Sequence, residues 1–142
     1  MTSEDLPDWV PARGHQLRLA GIHFDAIRVR GVRGEAVLHH LAALTEGRPG
    51  PVVREVHGGR WTYFLLAPGA SAGHDWPPGA TCFGPAARDL YVGIPAAHGE
   101  TYPLSWRCGP PREGQFVDAA LLHRVVLAQL CHDATLPPLA LP

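Results

Sequence analysis

The sequence predicts an α+β domain, an antiparallel-rich sheet with two main helices packed on one face. Three observations predict it. Residues 52–56 and 61–66 are rich in Val, Thr and aromatic side chains, and Gly58-Gly59 lies between them. Two glycines there mark a hairpin, because a tight turn of this kind needs positive φ at both central positions. Two other segments, about 34–46 and 117–131, repeat their apolar residues at helical spacing. The rest is short strand-like runs divided by Gly and Pro.

Taken in order, residues 1–13 are polar, contain Pro7 and Pro11, and read as a flexible arm on which Trp9 and Val10 are the side chains suited to docking. A strand follows at about 20–29, with Ile22, Phe24 and Ala26 facing one way and His23, Asp25 and Ile27 the other. Gly31 ends it. Gly34 and Glu35 open a helix to about Glu46, with Val37, Leu38, Leu41 and Leu44 inward and His39 and His40 towards water. Pro49-Gly50-Pro51 breaks the chain before the hairpin. Residues 67–79 read as a Gly/Pro/Ala loop, and 81–83, 90–94 and 104–107 as short strands. The last helix has Asp118 near its start, where a carboxylate suits the helix dipole, and a stripe of Leu121, Leu122, Val125 and Ala128. The expected layout is an arm (1–13), one domain (14–133) and a tail (134–142), in the order β-α-β-β-β-β-β-α.

The 142 residues suit one domain with a real core, and 46% hydrophobic content with a net charge of −1 is an ordinary soluble composition. That charge argues against strong non-specific attraction to nucleic acid and leaves room for a local basic patch. All 12 basic residues are arginine, which with abundant Ala, Gly and Pro is the bias of a GC-rich, actinobacterial type of genome. No apolar run approaches the ~20 residues of a membrane span. The acidic start Met1-Thr2-Ser3-Glu4-Asp5 is unlike a signal peptide. A cytoplasmic location without membrane attachment is the expectation. Cys82, Cys108 and Cys131 are odd in number and widely spaced, which suits buried thiols better than disulfides or zinc.

Three segments carry a resemblance. They are 28–38 (Arg28-Val29-Arg30-Gly31 running into a helix), 58–64 (Gly58-Gly59-Arg60-Trp61-Thr62-Tyr63-Phe64), and 90–95 followed by Trp106 and Pro110. Together they resemble the primase–polymerase (prim-pol) domain of the archaeo-eukaryotic primase superfamily, and more narrowly its small actinobacterial relatives, over about residues 20–131. The resemblance implies a prim-pol-like catalytic core. In that family an Asp-x-Asp pair at the strand end holds divalent metal for polymerisation. The i, i+2 spacing puts both carboxylates on one face of a strand. Here Arg28 and Arg30 occupy those positions and Trp61 that of the family histidine. A guanidinium has no acceptor lone pair and repels a cation; an indole N–H only donates. The resemblance therefore implies a non-catalytic relative with no catalytic residue and no cofactor. Arg28, Arg30 and Arg60 would hold the phosphate of a nucleotide or single-stranded nucleic acid, and Trp61 would stack on a base. The bland alternative is that the arginines are solvated at a sheet rim and Trp61 is core.

Two other function classes stand beside this one. The former active-site face can be vestigial in a regulatory module that binds a protein partner. An enzyme of unrelated chemistry can use His23 and Asp25, which with His57 form a weak candidate metal set. Gly69-Ala70-Ser71-Ala72-Gly73 matches a nucleophile-elbow pattern, but Trp76-Pro77-Pro78-Gly79 denies it the following helix, so it reads as loop. His123, Cys131, His132 and Asp133 do not converge at helical spacing.

Overall fold

The computed structural model describes residues 6–85 and 90–131. The expectations for the tail, His132 and Asp133 lie outside the described residues. The chain is α+β with antiparallel sheets. Its elements are β1 (His15–Leu19), β2 (Asp25–Arg30), α1 (Gly31–Leu44), β3 (Val52–Val56), β4 (Arg60–Leu66), β5 (Ala80–Phe83), β6 (Tyr91–Pro95), β7 (Leu104–Cys108) and α2 (Ala119–Val126). Five strands form one sheet in the order β5-β2-β4-β3-β7, and β1 pairs with β6 in a separate ribbon. Every pairing is antiparallel.

Strand alternation splits the apolar residues of the sheet between two cores. Ile27, Val29, Val52, Phe64 and Leu66 face the helices and pack on Val37, Leu38 and Leu41 of α1 and Leu122, Val125 and Val126 of α2. Ala26, Val53, Tyr63, Leu65 and Phe83 face the other way, where Val92 and Ile94 of the ribbon cover them. Close approach of α1 depends on Gly34. A Cβ there would stand 2.7 Å from both Thr62 Oγ1 and the Val29 carbonyl oxygen. The inward stripe of α1 is thus Gly34, Val37, Leu38 and Leu41, and Leu44 is exposed.

Several expectations need correction. Residues 6–13 are anchored to the body: Trp9 and Val10 are buried, and the Trp9 ring lies 5.0 Å from Phe24 and stacks on Phe116. A large aromatic side chain buries too much area to remain in water when an apolar surface is adjacent. The strand anticipated from residue 20 begins at Asp25, because residues 20–23 turn the chain from β1 into β2, with Gly21 N–H donating to the Phe24 carbonyl. Ile22 is therefore an exposed turn residue. The 67–79 loop contains an ordered 3-10 turn, Ala70–Gly73.

Asp118 caps α2, its Oδ1 accepting from Leu121 N–H at 3.0 Å. The helix ends in a π turn at Leu127–Cys131. The wider turn rotates the phase of the stripe, so Val126 and Leu130 are buried while Ala128 is exposed.

Candidate functional site

The antiparallel register of β2 on β4 sets Arg28 opposite Tyr63 and Arg30 opposite Trp61. On the far side of β4, Glu55 of β3 lies opposite Trp61. Cross-strand neighbours share a face, so Arg30, Trp61 and Glu55 form a row across the sheet, on the side away from the helices. Arg28 and Tyr63 form the next row, with Phe83 of β5 close by.

The arginines are neither simply solvated nor buried. The Arg28 Cζ lies 4.5 Å from the Trp61 ring centroid and 5.2 Å from that of Phe83. The Arg30 Cζ lies 5.2 Å from the same Trp61 ring. Aromatic faces are electron-rich and attract a guanidinium. Arg28 is half-buried, Arg30 is exposed, and Trp61 is half-buried rather than core. Among the described residues, neither arginine forms a salt bridge with a carboxylate.

Tyr63 donates its hydroxyl to Glu55 Oε1 at 3.0 Å. Burial pushes its pKa up from 10.0 to about 12; the Arg28 guanidinium pulls the other way and the Glu55 carboxylate adds to the rise. The hydroxyl therefore stays protonated at physiological pH. It holds Glu55 on the side of Trp61 away from Arg30.

Arg60 does not join this group. It shares its face of β4 with Thr62, which lies under Gly34 of α1, so it points to the helix side. Tyr63, Glu55 and Phe83 do belong to the cluster and escaped sequence reasoning. Tyr63 was recoverable from its two-residue spacing to Trp61. Glu55 and Phe83 required the cross-strand register.

The candidate metal set does not assemble. Asp25 pairs with Leu66 at one end of β4, whereas His57 follows Val56, which pairs with Arg60 at the other. Six residues of strand separate these ends, about 20 Å. His23 is an exposed turn residue. Asp25 is fully buried and already satisfied: Gly69 N–H and Ser71 N–H donate to it at 3.0 Å each, and the Ser71 hydroxyl donates as well. Ser71 is thus a structural partner of Asp25 rather than a nucleophile. Among the described residues, no group of three His, Cys, Asp or Glu side chains is placed to hold a metal ion.

His39 and His40 are exposed on α1. His123 reaches instead to the 74–76 segment: its Nε2 lies 2.9 Å from the Asp75 carbonyl oxygen and its ring 4.9 Å from that of His74. The three cysteines form no disulfide and are partly exposed, so the expectation of buried thiols needs amending. Burial pushes the Cys108 thiol pKa up against the opposing pull of Arg107.

Fold and site together define an α+β domain with an arginine–tryptophan stack at the end of β2 and the start of β4, on the sheet face away from the helices. No family model, curated protein or solved structure matches this chain. Among the described residues, no helix is long and apolar enough to cross a membrane.

Proposed function

We propose that this protein binds the phosphate of a nucleotide or of single-stranded nucleic acid on the β2–β4 rim, and that it does not catalyse nucleotide transfer. The observation that carries this reading is the pair Arg28 and Arg30. They share one face of β2 beside Trp61, at the i and i+2 positions where the prim-pol resemblance leads one to expect acids. Guanidinium groups suit phosphate, and they exclude cation ligation at those two positions. Further support comes from the start of α1 immediately after Arg30. The helix N-terminus has no side-chain cap and no acidic residue in its first turn, so its positive dipole end adds to the field.

The test is a thermal shift with millimolar nucleotide or a short single-stranded oligonucleotide, for the wild type and Arg30→Ala. Binding to the folded state alone raises the melting temperature. A rise in the wild type that Arg30→Ala abolishes is the expected result. No rise, or nucleotide incorporation by the pure protein with magnesium or manganese, would refute the reading.

A second reading, a protein-interaction module, is favoured by Leu17 and Tyr91. They lie on the same face of the β1–β6 ribbon and are 67% and 53% exposed. It expects self-association that Leu17→Ser reduces, measured by sedimentation; a wild-type monomer at high concentration would count against it.

A further inference from the structure

Besides the two positive charges on one face, the hairpin tip brings further hydrogen-bond donors close to Arg30. Gly59, at the tip of the β3–β4 hairpin, has a φ of +130°, a conformation that favours glycine. The three atoms closest to the point where its Cβ would sit are Arg30 Nε, Arg30 Nη2 and Trp61 Nε1, each 3.9 Å away. All three are nitrogens that carry hydrogen. None has a hydrogen-bond acceptor among the described residues, and the partner shown for Arg30 is the Trp61 ring. A side chain at Gly59 would sit in van der Waals contact with a guanidinium edge and an indole nitrogen, and glycine leaves that side of them uncovered.

The stack also occupies the aromatic faces. The Arg28 guanidinium is packed over Trp61 and Phe83. Both arginines lie against the Trp61 ring, so a base stacking on those faces would have to displace a cation. Arg60 points to the opposite side of the sheet. The three donors beside Gly59 lie together in one small spot.

We infer that the space beside Gly59 is a seat for a single oxyanion, a terminal phosphate group, held by Arg30 Nε–H and Nη2–H and by Trp61 Nε1–H. Trp61 acts as a hydrogen-bond donor and as the platform for the arginines, not as a base-stacking surface. This inference rests on the proposed phosphate-binding function and narrows it. The ligand is a phosphate monoester, either a small molecule or the phosphorylated end of a strand, rather than the repeated diesters of a polynucleotide. A guanidinium edge offers two parallel N–H groups to two oxygens of one phosphate, and the indole supplies the third donor. The monoester has three terminal oxygens to accept them, a diester only two.

Titration calorimetry with inorganic phosphate, a nucleoside monophosphate, and one oligonucleotide with and without a terminal phosphate tests the inference. The wild type is expected to bind the monophosphate and the phosphorylated strand, and to bind the unphosphorylated strand at least ~10-fold more weakly, the order of one hydrogen bond to a charged acceptor. Inorganic phosphate should compete for the same seat. Its binding shows that the anion alone suffices; a preference for the monophosphate or the strand shows which of these is the source. Trp61→Phe retains an aromatic ring for the arginines and removes only the N–H, and should weaken the monophosphate by a similar factor without lowering the melting temperature appreciably.

Equal binding of both strands, with Trp61→Phe harmless and Arg30→Ala damaging, would overturn the single-phosphate seat and leave the broader reading standing. No binding of any of the four ligands by the wild type would overturn both. A Trp61→Phe protein that melts early is replaced by Arg30→Gln. That variant keeps a neutral donor without the fork, and the seat requires the preference for a phosphorylated end to disappear with it.

Discussion

Asp25 shows how one side chain organises a region without taking part in a site. Its fully buried carboxylate accepts from two backbone N–H groups and the Ser71 hydroxyl, tying β2 to the 3-10 turn. Trp76 is held in turn by its indole N–H donating to the Ser71 carbonyl at 3.0 Å. Asp25→Ala would leave three donors facing a void, at about 1–3 kcal/mol per unsatisfied group before any relaxation. Chemical denaturation should show a loss of several kcal/mol. A loss under about 1 kcal/mol would mean that water replaces the carboxylate. Tyr63 yields a pH prediction. Its folded pKa of about 12 exceeds the unfolded 10.0, so the folded state holds the proton more tightly. The associated stability is complete below pH 10 and is lost as the pH rises towards 12. Tyr63→Phe should flatten that alkaline decline in a melting-temperature series; an unchanged slope would argue against the raised value.

At the scale of elements, what was legible in the sequence was what local chemistry determines. The hairpin at Gly58-Gly59, the α1 stripe and the α2 cap depend on neighbours a few residues apart, and they are present in the structure. Strand β1 was missed although Leu17 and Leu19 alternate with Gln16 and Arg18, because the segment is only five residues long and its partner, β6, lies far along the chain. The π turn after α2 was equally invisible, since one extra residue per turn leaves no mark in composition. The site divides the same way. That Arg28 and Arg30 share a face follows from their two-residue spacing, whereas Trp61 was singled out only through the prim-pol resemblance. Arg60 was misplaced by strand parity, and Glu55 and Phe83 needed register. Gly34 gives the element-scale prediction. On an exposed helix, Gly→Ala stabilises by about 1 kcal/mol. Here the added methyl would meet Thr62 Oγ1 and the Val29 carbonyl at 2.7 Å, so Gly34→Ala should destabilise despite its better propensity. Thr62 Oγ1 is itself buried without a partner among the described residues. Thr62→Val should therefore be neutral or stabilising, as the same denaturation measurement would show.

At the scale of the whole molecule, the sheet separates two apolar layers, and its central strand belongs to both. Phe64 and Leu66 of β4 pack under the helices, Tyr63 and Leu65 under the ribbon. Neither layer can dissolve while the other keeps that strand in place. Calorimetry should accordingly record one endotherm whose van't Hoff and calorimetric enthalpies agree; two resolved peaks would show that the layers melt separately. In heavy water, the peptide hydrogens of 62–66 should be the slowest to exchange, opening only when the entire chain does. A change at the hairpin tip, Gly59 included, would therefore disturb the anion seat inferred there before it reached either apolar layer.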